Sequence, residues 1–194
     1  MKNLTLFIAV LLITACNPEP KAGDDTKEMK ALKTALSKYT QATIDNDINS
    51  LVSFVYPKVF TIISKEKMIT MLTKTFKSGK VPKVENIKHT KIEKIKKYDK
   101  GIYSIINSSM TTIIKSPRPE NSEVESYLLK TLQAKLASKG TVTLDKERHL
   151  FNIQHSNKTI AINETGEWKF VGFKQAKKYI NKGIFPLMLI EKLD

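Results

Sequence analysis

Near residue 80 the hydrophobic pattern of this chain changes its period, and that change limits what it can fold into. Before it, apolar residues recur every three or four positions. Thr26 is placed to cap a first helix carrying Met29, Leu32, Leu36, Tyr39 and Thr43. Asp45-Asn46-Asp47 interrupts, and Ile48, Leu51, Val52 and Val55 continue on a second helix that Tyr56-Pro57 ends. Ser64 caps a third helix with Met68, Leu72 and Phe76, which Gly79 stops. After it, β-branched residues dominate. Strands are expected over 84–89, 92–98, 102–115, 149–155, 159–163 and 167–173, with turns at Asp99-Lys100-Gly101, Ser156-Asn157 and Glu164-Thr165-Gly166. Two prolines make 116–121 a loop. Ser122 and Glu125 form a capping box for a helix bearing Val124, Leu128, Leu132 and Leu136 and ending at Gly140. Pro186 starts a last short helix over 187–193. Helices followed by a mostly antiparallel sheet define an α+β domain with the helices packed on a sheet face.

The length, 194 residues, suits one such domain. A single cysteine excludes an internal disulfide, a four-cysteine zinc site and CxxC redox chemistry. The net charge of +14 raises the question of nucleic acid. Only two of the 33 basic residues are arginine, Arg118 and Arg148, and the lysines are scattered. Base and phosphate recognition favours the planar arginine fork. The plainer reading is a solvated, lysine-rich surface, with no sequence-specific nucleic-acid partner.

The N-terminus carries a different signal. Lys2 is followed by an uncharged run from Leu4 to Ala15, too short to span a bilayer, which needs about 20 residues. It has the form of a secretory signal's apolar region. The run closes on Ile13-Thr14-Ala15-Cys16, which resembles the lipobox of bacterial lipoproteins. That resemblance implies cleavage before Cys16, acylation of its sulfur and attachment to a membrane through the lipid. The chain then divides into a signal peptide (1–15), a flexible Pro- and Gly-containing tether (16–25) and one domain (26–194). Asn17, where inner-membrane lipoproteins carry Asp, leans the location toward the outer membrane.

The order of elements carries a second resemblance. Asp47, Leu51 and Val55-Tyr56-Pro57 after an opening helix pair, then a helix, long strands and Gly166-Glu167-Trp168-Lys169-Phe170 look similar to the nuclear transport factor 2-like (cystatin-like) superfamily. Small secreted proteins of Bacteroidetes-type bacteria share this layout. The resemblance implies a curved, mostly antiparallel sheet rolled with helices into a cone whose mouth is often a ligand pocket. The helix expected from residue 122 departs from the simplest version of that pattern.

Some superfamily members are isomerases, dehydratases or cyclases that use Asp or His with Tyr inside the cone. Here Asp45 and Asp47 sit at a helix break, where such residues ordinarily cap. Tyr39 and Tyr56 are read as packing residues. His149 and His155, placed on one strand, stand roughly 20 Å apart and cannot share a metal; His89 lies elsewhere. HExxH, GxSxG and glycine-rich phosphate loops are absent from the sequence. No catalytic, cofactor or metal site is therefore expected. Trp168 and Phe170 share one face of their strand, and Ile160 and Ile162 of the neighbouring strand are expected to meet that pair. With Tyr56 they form the candidate pocket or core. The leading expectation is a lipid-anchored envelope protein that binds a small apolar molecule, a peptide or another envelope protein without chemistry. The rivals are an isomerase- or cyclase-type enzyme and a structural lipoprotein.

Overall fold

A computed structural model describes residues 26–78, 82–137, 139–180 and 182–185. The lipobox with Cys16, the tether, Gly79 and the helix expected over 187–193 lie outside the described residues. The chain is α+β, with helices and a six-stranded, open antiparallel sheet. The order is α1 (Lys27–Asp45), α2 (Ile48–Ser53), a 3-10 turn (Pro57–Thr61), α3 (Lys65–Lys77), β1 (Lys83–Ile92), β2 (Lys96–Tyr98), β3 (Gly101–Lys115), α4 (Ser122–Leu136), β4 (Gly140–Asp145), β5 (Leu150–Asn163), β6 (Lys169–Gly172) and α5 (Phe173–Ile180).

The helix starts follow local chemistry. Thr26 accepts from the Met29 amide at 3.1 Å, and Ser64 accepts from the Lys67 amide at 3.2 Å. Asn46 ends α1 in the left-handed conformation, φ 55°. Asp47 then caps α2, so the Asp45–Asp47 pair is a helix boundary. The capping of α4 differs from expectation. Asn121, not Ser122, accepts from the Glu123 and Val124 amides, and α4 ends at Leu136 because Gly140 already belongs to β4.

The sheet rests on β3 and β5, paired without interruption from Ile102–Asn163 to Lys115–Leu150. The strands run in the order β1-β3-β5-β4, while β2 also pairs with β3 and β6 with β5. Gly101 opens β3 where any Cβ would lie 2.1 Å from the Asn163 carbonyl oxygen, so only glycine allows that approach.

Four expectations are corrected here, and one strand is added. Ser156 and Asn157 do not turn; they pair with Ser109 and Ser108, and the two expected strands are one, because the ladder with β3 overrides local turn preference. His149 is in a turn at φ 54°, not on the strand with His155. Residues 92–98 do not form one strand; β1 ends at Ile92 and β2 starts at Lys96. The strand expected over 167–173 is confined to Lys169–Gly172, where its pairing with β5 stops, and Phe173 begins α5. Residues 140–145 form an additional strand on the free edge of β5.

Side-chain alternation splits the sheet into two faces. On the first, α1 covers one end, with Met29, Leu32 and Leu36 against Ile106, Ala161, Trp168 and Phe170. At the other end α4 covers Val142, Phe151 and Ile153 with Leu128, Leu132 and Leu136. Between these apolar clusters lie the buried Ser108, Thr112 and Thr159. On the second face, Tyr56, Val59, Ala176, Ile184 and Phe185 cover Tyr103, Ile160, Ile162 and Val171 at the α1 end only.

Candidate functional site

The five pocket-or-core residues divide between these faces. Trp168 and Phe170 share the first face, 4% and 5% exposed. Ile160 and Ile162 lie on the second face with Tyr56, not against Trp168. Register decides this: Ala161 stands opposite Phe170, so its neighbours Ile160 and Ile162 stand opposite Val171 and Lys169.

An open groove of about 540 Å³ lies between α1 and the segment entering β6. Its α1 wall is Ala31, Thr34, Ala35 and Lys38. Ala31 and Ala35 are one turn apart, and their short side chains leave the space that a larger helix face would fill. Phe54 and Trp168 supply aromatic surface, and Glu167 and Lys169 stand on the facing side. Lys169 Nζ is held by Glu167 Oε2 at 2.7 Å and by the Ser53 carbonyl at 3.0 Å. Lys38 has no carboxylate within ion-pair distance among the described residues. The Trp168 Nε1–H is buried with no hydrogen-bond partner among the described residues. A buried donor without an acceptor costs about 1–3 kcal/mol and calls for an explanation.

Phe54, Tyr39 and Phe170 form one aromatic group, with Tyr39 stacked on Phe170 at 4.7 Å and edge-on to Phe54 at 5.8 Å. Phe54 borders the first groove. Tyr39 and Phe170 border a second, of about 450 Å³, which Met68 and Leu72 of α3 and Tyr179 of α5 also line. Burial raises the Tyr39 phenol above its ordinary pKa.

A cluster that the sequence did not reveal sits beside the second-face core. Glu164 Oε1 accepts from Tyr56 Oη at 2.8 Å and from Tyr98 Oη at 2.5 Å, while Lys58 Nζ lies 3.4 Å from Oε2. Burial works to raise the Glu164 carboxyl. The hydrogen bonds from Tyr98 and Tyr56 and the Lys58 charge outweigh it and hold the carboxyl below its usual range. Burial first, then the Glu164 bond and charge, push the Tyr56 and Tyr98 phenols well above theirs. The sequence marks Glu164 only as part of the Glu164-Thr165-Gly166 turn. Its partners are 66 and 108 positions away, so no local pattern marks it.

The histidines stay apart. His89 bridges α1 to the sheet, with Thr40 Oγ1 and Ser108 Oγ each at 2.9 Å, and burial lowers its pKa. His149 Nδ1 meets the buried Glu125 at 3.1 Å, and His155 meets Thr112 at 3.4 Å. Among the described residues no group of three metal-ligating side chains is assembled, and no helix is long and apolar enough to cross a membrane. No family model, curated protein or solved structure matches the chain.

Proposed function

We propose that this is a lipid-anchored protein of the bacterial cell envelope, held at the outer membrane through Cys16, whose domain binds a small, mainly apolar molecule without transforming it. We assign the domain to the nuclear transport factor 2-like cone type, on the order of its elements and the helices over its sheet. The observation that carries the binding reading is the groove over Trp168. It joins aromatic and alanine surface to two ammonium groups, Lys38 and Lys169, and the Trp168 indole beneath it has a buried donor with no acceptor among the described residues. Small-molecule sites have this composition, an apolar lining with a few polar groups that fix orientation.

The Tyr56–Glu164–Tyr98 cluster is what an enzyme reading would use, and its chemistry disfavours that use. A carboxylate held below its usual pKa is a weak general base, and a phenol pushed upward stays neutral. The three groups satisfy one another and tie the chain segments carrying Tyr56, Tyr98 and Glu164.

Trp168 is the chain's only tryptophan, so its emission reports the groove directly. The full chain in detergent would be titrated with anilinonaphthalene sulfonate, an apolar anion. Quenching of Trp168 with sensitised dye emission is expected, and Ala35→Leu, which fills the groove, removes both. Dye binding untouched by Ala35→Leu would overturn the site.

A further inference from the structure

The second face of the sheet is covered at the α1 end only. The apolar cluster of that face ends before Asn107. Beyond it Gln154 and Ser156 are exposed, and Asn107, Ser109, Thr111 and Asn152 are half-buried, as are Ile113 and Leu150 at the far edge. By register, Asn107, Ser109 and Thr111 of β3 share this face with Asn152, Gln154 and Ser156 of β5. All six are amides or hydroxyls, each able to donate and accept hydrogen bonds.

The edge strand β1 adds charge through an irregularity in its pairing. Two register shifts, between Val84 and Asn86 and between His89 and Lys91, each insert one residue. Strict alternation would place Lys83 and Lys88 on opposite faces, and Lys88 and Lys91 likewise. With the bulges, Lys83 stands opposite Ile113, Lys88 opposite Ser109 and Lys91 opposite Asn107, all on the open face. Across the sheet Lys158, opposite Asn107, shares the Phe173 ring with Lys177 of α5, at 5.1 and 4.8 Å from the centroid. Carboxylates are few. Glu85 and Glu93 lie 3.8 and 3.9 Å from Lys83 and Lys91, while Asp145, at the far corner, is engaged by the Glu147 and Arg148 amides. Lysines on an edge strand also guard it against pairing with another chain. Edge protection does not require them to share a face.

We propose that this face binds an acidic polysaccharide of the polyuronate type. The lysine borders match its carboxylates, and the central amides and hydroxyls match its sugar hydroxyls. Single-stranded nucleic acid would need aromatic platforms for its bases, which the six central residues do not supply. A bilayer surface would engage the lysines but has no use for the uncharged hydrogen-bonding centre.

The test is affinity electrophoresis and calorimetry of the full chain in detergent with polygalacturonate, and with neutral dextran, duplex DNA and phosphatidylglycerol vesicles as comparisons. Polygalacturonate binding is expected, with dextran unbound. Lys88→Glu/Lys91→Glu should weaken it about tenfold or more, the scale of losing charged contacts worth some 1.4 kcal/mol. Gln154→Ala/Ser156→Ala should also weaken it, which pure charge attraction would not produce. Lys65→Glu/Lys67→Glu on α3, an equal charge change elsewhere, should leave it intact. Lys88→Gln/Lys91→Gln repeats the test if charge reversal perturbs the fold. Absence of polygalacturonate binding, equal loss in both charge variants, or tighter binding of DNA or vesicles through the same lysines would overturn the proposal.

Discussion

The phenol of Tyr56 donates to Glu164 at 2.8 Å and joins the segment after α2 to the turn between β5 and β6. Tyr56 is almost wholly buried, so its hydroxyl has no alternative partner in water. Glu164→Ala should therefore destabilise the domain by about 1–3 kcal/mol, the cost of a buried donor without an acceptor. Tyr98, half-buried, can turn toward solvent and should add less. Urea denaturation of the variant against the parent checks this. An unchanged midpoint would show that the cluster contributes nothing to folding.

The same cluster sets a pH dependence with two limbs. The folded Glu164 carboxyl lies below its unfolded value of 4.5, so its contribution is full above that value and is lost as pH falls through the lower, folded one. The Tyr56 and Tyr98 phenols lie above their unfolded value of 10.0, so their contribution is full below it and is lost as pH rises beyond it. Stability measured from acid to alkaline pH should fall at both ends. Glu164→Gln should flatten the acid limb; an acid limb identical in the variant would assign it to other carboxylates. Tyr39, Tyr56 and Tyr98 should resist ionisation until the chain unfolds. Ultraviolet phenolate absorbance of the parent against Tyr→Phe variants at these three positions checks this.

Trp168 should emit at short wavelength, because its indole is shielded by α1. Trp168→Ala should cost about 3–5 kcal/mol as a large-to-small core change. Trp168→Phe should cost clearly less, since it keeps much of the aromatic surface and removes the unpartnered donor. Equal costs for the two would mean that the Nε1–H finds an acceptor in solution.

Fatty-acid labelling in a bacterial host should mark the chain, and Cys16→Ser should abolish the label and release the protein from the membrane fraction. Label persisting in that variant would move the attachment elsewhere.

The helices were legible because apolar residues three or four apart, such as Met29, Leu32 and Leu36, can be buried together on one face. β3 was legible for its long β-branched run. What the sequence concealed depends on pairing. Ile160 and Ile162 plainly share a face, but only the Ala161–Phe170 register says that Trp168 is not on it. Glu167-Trp168-Lys169-Phe170 showed alternation without showing that its ladder stops at Gly172. β4 has only Val142 and Leu144 facing inward, too few to stand out from a loop. The lysines of β1 share a face only through two bulges, which no periodicity announces.

The polar strip of Ser108, Thr112 and Thr159 between the two first-face clusters bears on how the domain comes apart. The α4 end holds its own small cluster, Val142, Phe151 and Ile153, separated from the residues under α1. A weak boundary of this kind permits sub-global opening, in which one contiguous unit is released while the rest stays native. Amide hydrogens of α4 and β4 should exchange with deuterium well before those of β3 and β5 around Ile105–Ile160, which lie between two covered faces. The far end of the sheet can then loosen without disturbing α1 or the groove it borders.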